Sequence, residues 1–242
     1  KPSLPAPGDG ASPGPDASSL TPRLIPMIVL GIETATPTCS VGLTDGATVL
    51  ARISEEAGRR HSIVLVDMIE RTLKEAGVSR HQLEGVAVSA GPGSFTGLRI
   101  GMGLAKGICM SLNIPIAPVS TLCALVVRSR TKASIVCGCL DARHEELYSG
   151  VYRMSRSGPE TLHADASRRV DELISLLSPD SVVAGYKIDD YVDSLSSAGF
   201  VVLSDVSPDG GAVATLGEKQ LVRGDHASLD LAEPNYCKKS QP

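Results

Sequence analysis

The chain has 242 residues, 42% hydrophobic and 21% charged, which excludes a wholly disordered or collagen-like polypeptide. Its 23 basic and 27 acidic side chains leave a net charge of −4, so no basic field captures nucleic acid unaided. With two Phe, five Tyr and no Trp, it offers few platforms for stacking single-stranded bases. The six cysteines include no CxxC pair. Cys137 and Cys139 fall on one face of an extended segment, where buried thiols pack as small apolar groups. No secretory leader and no apolar run of about 18 residues is present, so a cytoplasmic chain with no membrane partner is expected.

Residues 1–26 hold seven of the sixteen prolines and little to bury, and such a stretch cannot offset the entropy of ordering. They read as a disordered extension or a cloning remnant and are set aside. Residues 27–33 (MIVLGIE) are apolar and β-branched and open a strand. Strands over 39–44 and 47–54 follow, joined by the hairpin signal Asp45-Gly46. A helix over 61–76 carries Leu65, Met68, Ile69, Leu73 and Ala76 on one face and is closed by Gly77. Ile63, Val64 and Val66 make it apolar on more than that face. A buried-type strand over 85–89 runs into a glycine loop and an apolar helix to about 112, giving βββαβα.

The second half resembles the first in outline. Strands are expected over 134–141, 146–153 and 161–164, then a helix over 167–177, a strand over 181–185, a helix near 189–198, a strand over 200–203 and a helix over 211–222. This is the pattern of an α/β fold with a duplicated βββαβα lobe, an N-terminal lobe over 27–125 and a smaller, less regular C-terminal lobe over 126–242. Glu33 and Asp141 each end the first strand of their half, so a cleft between lobes is expected to carry one acid from each near its base.

Gly91-Pro-Gly-Ser-Phe-Thr-Gly97 follows a strand and opens a helix, where backbone N–H groups and the helix dipole favour an anion. Ser94 and Thr96 add hydroxyls and Arg99 a fixed charge. Two phosphate signatures fail on spacing. A P-loop requires GxxxxGK followed by Ser or Thr, and a dinucleotide loop requires GxGxxG, whereas Gly91, Gly93 and Gly97 give GxGxxxG. The alternative is a turn whose glycines permit positive φ and close backbone approach. Phe95 within the loop reads as an anchor. Gly97, Gly101, Gly103 and Gly107 lie in or at the start of the next helix, and each interior glycine costs about 1 kcal/mol relative to Ala. They read as the close approach of another element, from this chain or another.

Asp141-Ala-Arg-His-Glu-Glu-Leu-Tyr148 is a second polar cluster, with Arg143 placed to pair with Asp141 or with Glu33 across the cleft. The alternative is a hairpin with surface charges. Histidines stand at 61, 81, 144, 163 and 226, no two of them three to five apart, so none forms a metal-ligand pair on one helix face. His61, at a helix start, reads as a surface or capping residue. There is no GxSxG nucleophile elbow.

Gly91-Pro-Gly-Ser-Phe-Thr-Gly-Leu-Arg-Ile-Gly101 resembles the signature of the TsaB family of bacterial tRNA threonylcarbamoyladenosine biosynthesis proteins, part of the glycoprotease-like M22 group. Residues 28–33 with the Thr34–Thr36 turn, His61-Ser62, and Asp141-Ala-Arg with Glu146 and Tyr148 agree with it, as does Pro234-Asn-Tyr236. The resemblance implies a two-lobed actin/Hsp70/sugar-kinase-like, ribonuclease H-like fold. It also implies a non-catalytic partner of TsaD, the relative that binds a metal through a histidine motif absent here. TsaE, an ATPase, joins them, and the complex transfers threonylcarbamoyl to N6 of adenosine 37 in tRNAs reading ANN codons. ATP and metal then belong to the partner subunits, with none expected on this chain, and tRNA is met through the complex. Contact with TsaD, or with a second copy in a homodimer, is implied for the two N-terminal-lobe helices, here through Ile63, Val64, Val66, Gly101 and Met102. Two departures stand out: Glu33-Thr34-Ala35 replaces the family's Asp-Thr-Ser, and Cys237-Lys238 replaces Leu-Arg. The first puts nucleotide chemistry in doubt. A self-sufficient small-molecule kinase or nucleotide hydrolase of the same fold is the alternative.

Overall fold

A computed structural model describes residues 26–237. The expected disordered extension, apart from Pro26, and Lys238 lie outside the described residues. The first strands form an antiparallel meander, β1 (Ile28–Glu33), β2 (Thr38–Asp45) and β3 (Thr48–Glu56). Then come α1 (His61–Ala76), β4 (Gly85–Gly91), α2 (Phe95–Leu112) and β5 (Ile116–Ser120). β4 runs parallel to β1 and β5 parallel to β4, so the sheet order is β3-β2-β1-β4-β5. α1 has the expected bounds and ends at Gly77, whose left-handed φ of 66° suits a residue without Cβ.

Helix α3 (Thr121–Ser129) leads to β6 (Ile135–Asp141), β7 (Glu146–Ser155), β8 (Gly158–Arg169), α4 (Val170–Leu176), β9 (Val182–Tyr186), α5 (Asp189–Ser197) and β10 (Val201–Leu203). The second sheet has the order β10-β9-β6-β7-β8. β6–β7–β8 is an antiparallel meander, β9 is parallel to β6 and β10 to β9, so each sheet repeats the other strand for strand. This is the duplicated α/β fold.

Alternation along the central strands assigns each face. Leu30 and Ile32 of β1 pack with Leu65, Met68 and Ile69 of α1 and with Met102 and Ala105 of α2, whereas Val29 packs with Val213 and Leu216 of α6 (Gly210–Val222). In β6, Cys137 and Cys139 face Leu173 of α4 and Leu195 of α5, whereas Val136 and Leu140 face Leu122 and Leu125 of α3. The layers run α1/α2, first sheet, α6 and α3, second sheet, α4/α5. α6 follows the second sheet in sequence but packs on the first. Its start sits backbone against backbone on the meander. A Cβ on Gly42 would lie 2.6 Å from Gly211 Cα, and one on Gly210 would lie 2.7 Å from Val41 Cα. Asp209 caps this end through Ala212 N–H at 2.8 Å and pairs with Arg52 and Arg128, both at 2.7 Å.

Some boundaries differ from expectation. β5 and α3 carry no assignment at the sequence level. β8 runs twelve residues where four are expected, and the next helix begins at Val170, not at 167. The Arg168 guanidinium donates to the Ser149 and Ala164 carbonyls at 2.6 and 2.9 Å, which holds 167–169 extended against β7. Among the described residues no helix is long and apolar enough to cross a membrane.

Candidate functional site

The glycine loop takes its shape from the turn after β1. A Cβ on Gly93 would lie 2.5 Å from the Ala35 carbonyl oxygen and 2.7 Å from Ala35 Cβ. One on Gly97 would collide with the Thr34 carbonyl, and one on Gly101 with Thr34 Oγ1. Gly91 and Gly93 have φ of 108° and 157°. Ser94 N–H donates to Ala35 O at 2.7 Å, and Ser94 Oγ accepts from Gly97 N–H at 3.2 Å. Close approach thus accounts for these glycines. Much of the loop is taken up by its own chain: Pro92 has no N–H, Ala35 fills the place beside Gly93, and the Ser94 and Gly97 amides are already used.

Glu33 lies beneath that turn and is fully buried. Its carboxylate accepts from Ala35 N–H at 2.6 Å and from the Ser89 hydroxyl. Burial pushes the Glu33 carboxyl up to about 7, against the opposing pull of these two hydrogen bonds. A raised carboxyl pKa contributes stability that is complete below the ordinary value of 4.5 and is lost as pH rises through about 7. Glu33→Gln removes that loss, worth roughly 3 kcal/mol. Its amide can donate to Ser89 while Ser89 donates to the Ile32 carbonyl, now 3.3 Å away. The melting temperature of Glu33→Gln relative to wild type is therefore expected to be higher at pH 8 than at pH 5. A difference that does not change with pH contradicts the assignment.

A cleft of about 530 Å³ lies between the lobes. Gly93, Ser94, Phe95 and Thr96 line one side, and Asp141, Arg143, Tyr148 and Lys187 the other. Asp141 is exposed, and its carboxylate accepts from Arg143 N–H at 2.9 Å. Glu33 is sealed below and is not among the lining residues, so the two acids do not meet. The repeat explains why. Gly31 pairs with Gly42 and Ala87, and Gly138 pairs with Gly150 and Ala184, so these glycines are equivalent. Glu33 then corresponds to Leu140 and Asp141 to Thr34, a shift of one residue that puts them on opposite faces. His61, expected at the surface, is buried at the cleft, where its Nε2–H donates to the Thr36 carbonyl at 2.9 Å.

Phe95 and Arg99 meet a residue that sequence reasoning gave no role. The Arg99 guanidinium stacks 3.9 Å from the Phe95 ring centroid, and its Nε donates to Tyr236 Oη at 3.0 Å. Asn235 N–H donates to the Ala90 carbonyl at 2.6 Å, so the segment 234–236 is fastened on the loop. Thr96 is exposed at the cleft.

The helix residues separate by face. Ile63 and Val66 are 74% and 50% exposed, and Val64 is half-buried against the core. Gly101 and Met102 correct the expectation of an outward position: both are buried, Gly101 under Thr34 and Met102 in the apolar core. The outer face of α2 carries Gly103, Gly107 and Met110 instead. Apart from the adjoining backbone of α2 itself, nothing among the described residues lies within 4 Å of a Cβ built on either glycine, and Met110 is 71% exposed. Gly103→Ala with Gly107→Ala is expected to stabilise the isolated chain by about 1 kcal/mol per site, read as a raised melting temperature. An unchanged or lowered value contradicts the open geometry. Among the described residues no three His, Cys, Asp or Glu side chains form a metal-holding group.

Two copies of one sheet pattern about a cleft define a duplicated, two-lobed α/β class of protein. The sequence pattern described as TsaD, tRNA N6-adenosine threonylcarbamoyltransferase, matches residues 53–220. The tRNA threonylcarbamoyladenosine biosynthesis protein TsaB of Escherichia coli K12 is 30% identical over 222 residues, spanning 88% of this chain and 96% of that protein. TsaB of Bacillus subtilis 168 is 30% identical over 62% of this chain and 66% of its own length. A solved structure of YeaZ from Pseudomonas aeruginosa superposes with a TM-score of 0.77 at 25% identity, covering 87% of this chain and 99% of that one. The chain belongs to the TsaB family of tRNA threonylcarbamoyladenosine biosynthesis proteins.

Proposed function

We propose that the chain acts as a non-catalytic partner and activator of a TsaD-like catalytic subunit. A TsaE-like ATPase joins the pair, and the assembly transfers threonylcarbamoyl to N6 of adenosine 37 in tRNAs reading ANN codons. The observation that carries this reading is the outer face of α1 and α2, where Ile63, Val66 and Met110 stand exposed beside two glycines over open space. Interior helix glycines that nothing in their own chain requires suit a second helix packed close. The same face serves a second copy of the chain when the partner is absent. ATP and metal belong to the partner subunits, since the glycine loop is filled by its own chain and Glu33 is sealed. With a net charge of −4, the chain leaves tRNA contact to the rest of the complex, in the cytoplasm.

The test is formation of threonylcarbamoyladenosine on tRNA by TsaD-like and TsaE-like partners with and without the chain. Product that requires the chain supports the reading. Equal product without it overturns the partner role.

A further inference from the structure

We propose that a second cavity, between α6 and the β7–β8 hairpin, binds a small zwitterion of the α-amino acid type. Its anionic group would sit between Lys219 and Arg223 and its amine against Asp165. The cavity has a volume of about 350 Å³, at the lower end of the ~300–1,000 Å³ range of small-molecule sites. It lies away from the cleft and from the α1/α2 face, so the inference does not depend on the partner role.

The two ends of the cavity carry opposite charges that are not spent on each other. Asp165, on β8, accepts from Ser120 Oγ and from Tyr152 Oη, both at 2.5 Å. Both donors are neutral; the nearby Arg168 guanidinium acts on Asp165 only through its charge, being bonded to the Ser149 and Ala164 carbonyls, and among the described residues Asp165 is in no direct ion pair. Burial pushes its carboxyl up from the ordinary value, which an ammonium at the same place would reverse. Lys219, in the last turn of α6, and Arg223, which caps the end of that helix, are four residues apart and exposed at the mouth. Lys219 Nζ and Arg223 Nη2 both donate to the one Ser157 carbonyl, at 3.3 and 3.4 Å, and neither is in an ion pair among the described residues. Most of their donors therefore remain available.

Single charges fit less well. A bare anion meets the carboxylate at the base, and a bare cation meets two like charges at the rim. A molecule with both groups on a short chain satisfies each end, and Val119, Pro159 and Leu216 supply apolar wall for its side chain. Val119 and Leu216 belong to the first sheet and its helix, and Asp165 and Tyr152 to the second, so the ligand would touch both lobes.

Thermal melting of the full chain tests this with each of the twenty standard amino acids, and with inorganic phosphate and ethylammonium as single-charge comparators. At least one amino acid is expected to raise Tm by about 3 °C at roughly ten times its Kd, with neither comparator doing so. Lys219→Met with Arg223→Met, both exposed, is expected to keep the basal Tm and abolish the shift, and Asp165→Asn is expected to abolish it as well. The proposal fails if no amino acid shifts Tm, if the shift survives in the rim variant, or if phosphate alone reproduces it.

Discussion

A chain carrying Ile63→Asp, Val66→Asp and Met110→Asp is expected to lose at least about a hundredfold in affinity for a TsaD-like partner and to keep its own melting temperature. All three side chains are at least half exposed, so replacing them removes little from the core. In a docked complex the same positions would bury three carboxylates without counter-charges, a cost that grows with each one. Surface plasmon resonance against the partner reads the affinity, and threonylcarbamoyladenosine yield reads the consequence. Affinity within about threefold of wild type would remove α1 and α2 from the interface. Val64 is left out because it also packs on the core, and Gly101 because its replacement strikes Thr34.

Gly42→Val is expected to destabilise the chain by more than about 4 kcal/mol and to yield little folded protein. Its Cβ would lie 2.5 Å from Gly210 C and 2.6 Å from Gly211 Cα, atoms that cannot swing aside as a side chain does. Moving them breaks the bond from Gly210 N–H to Ser40 Oγ at 3.0 Å and disturbs Asp209, which is held by Arg52 and Arg128. Gly58→Val is the control, because among the described residues nothing but its chain neighbours lies within 4 Å of its Cβ position. Its φ of 56° adds a strain of about 2–3 kcal/mol for a β-branched side chain but no collision with described backbone, so it is expected to lose less than Gly42→Val. Urea unfolding of both variants checks the contrast, and equal midpoints would contradict the backbone contact.

The first meander and α1 were legible because their signals are local. Strands alternate, Gly77 caps a helix, and Leu65, Met68 and Ile69 recur on one side of it. β5 and α3 were not. β5 is five residues with Pro118 inside, tolerated because it is an edge strand. α3 lies between α6 and the second sheet, so Thr121, Leu122, Ala124, Leu125 and Val126 are all buried and no polar face marks its period. β8 shows in the sequence only as a strand over 161–164, because an edge strand needs few apolar residues to mark its ends.

The glycine loop was found by its composition, but its two readings could not be separated without knowing that the Thr34–Ala35 turn lies over it. Two signals were present and went unread. Gly101 falls one helical turn from Gly97 and shares a face with Leu98 and Ala105, which marks it as inward. The strands IVLGIE and IVCGCLD share their first, second and fourth residues, which pairs Glu33 with Leu140, not with Asp141.

The return of α6 to the first sheet has a consequence for synthesis on the ribosome. β1, β2, β4 and β5 are complete once residue 120 has been made, yet the face carrying Val29, Ala87, Ala117 and Val119 gains only the partial cover of α3 until α6 emerges, about a hundred residues later. A nascent chain of intermediate length therefore carries a formed meander with an apolar side open to water. That makes it a natural client for holding chaperones, and a chain stopped before residue 210 would present the same surface permanently.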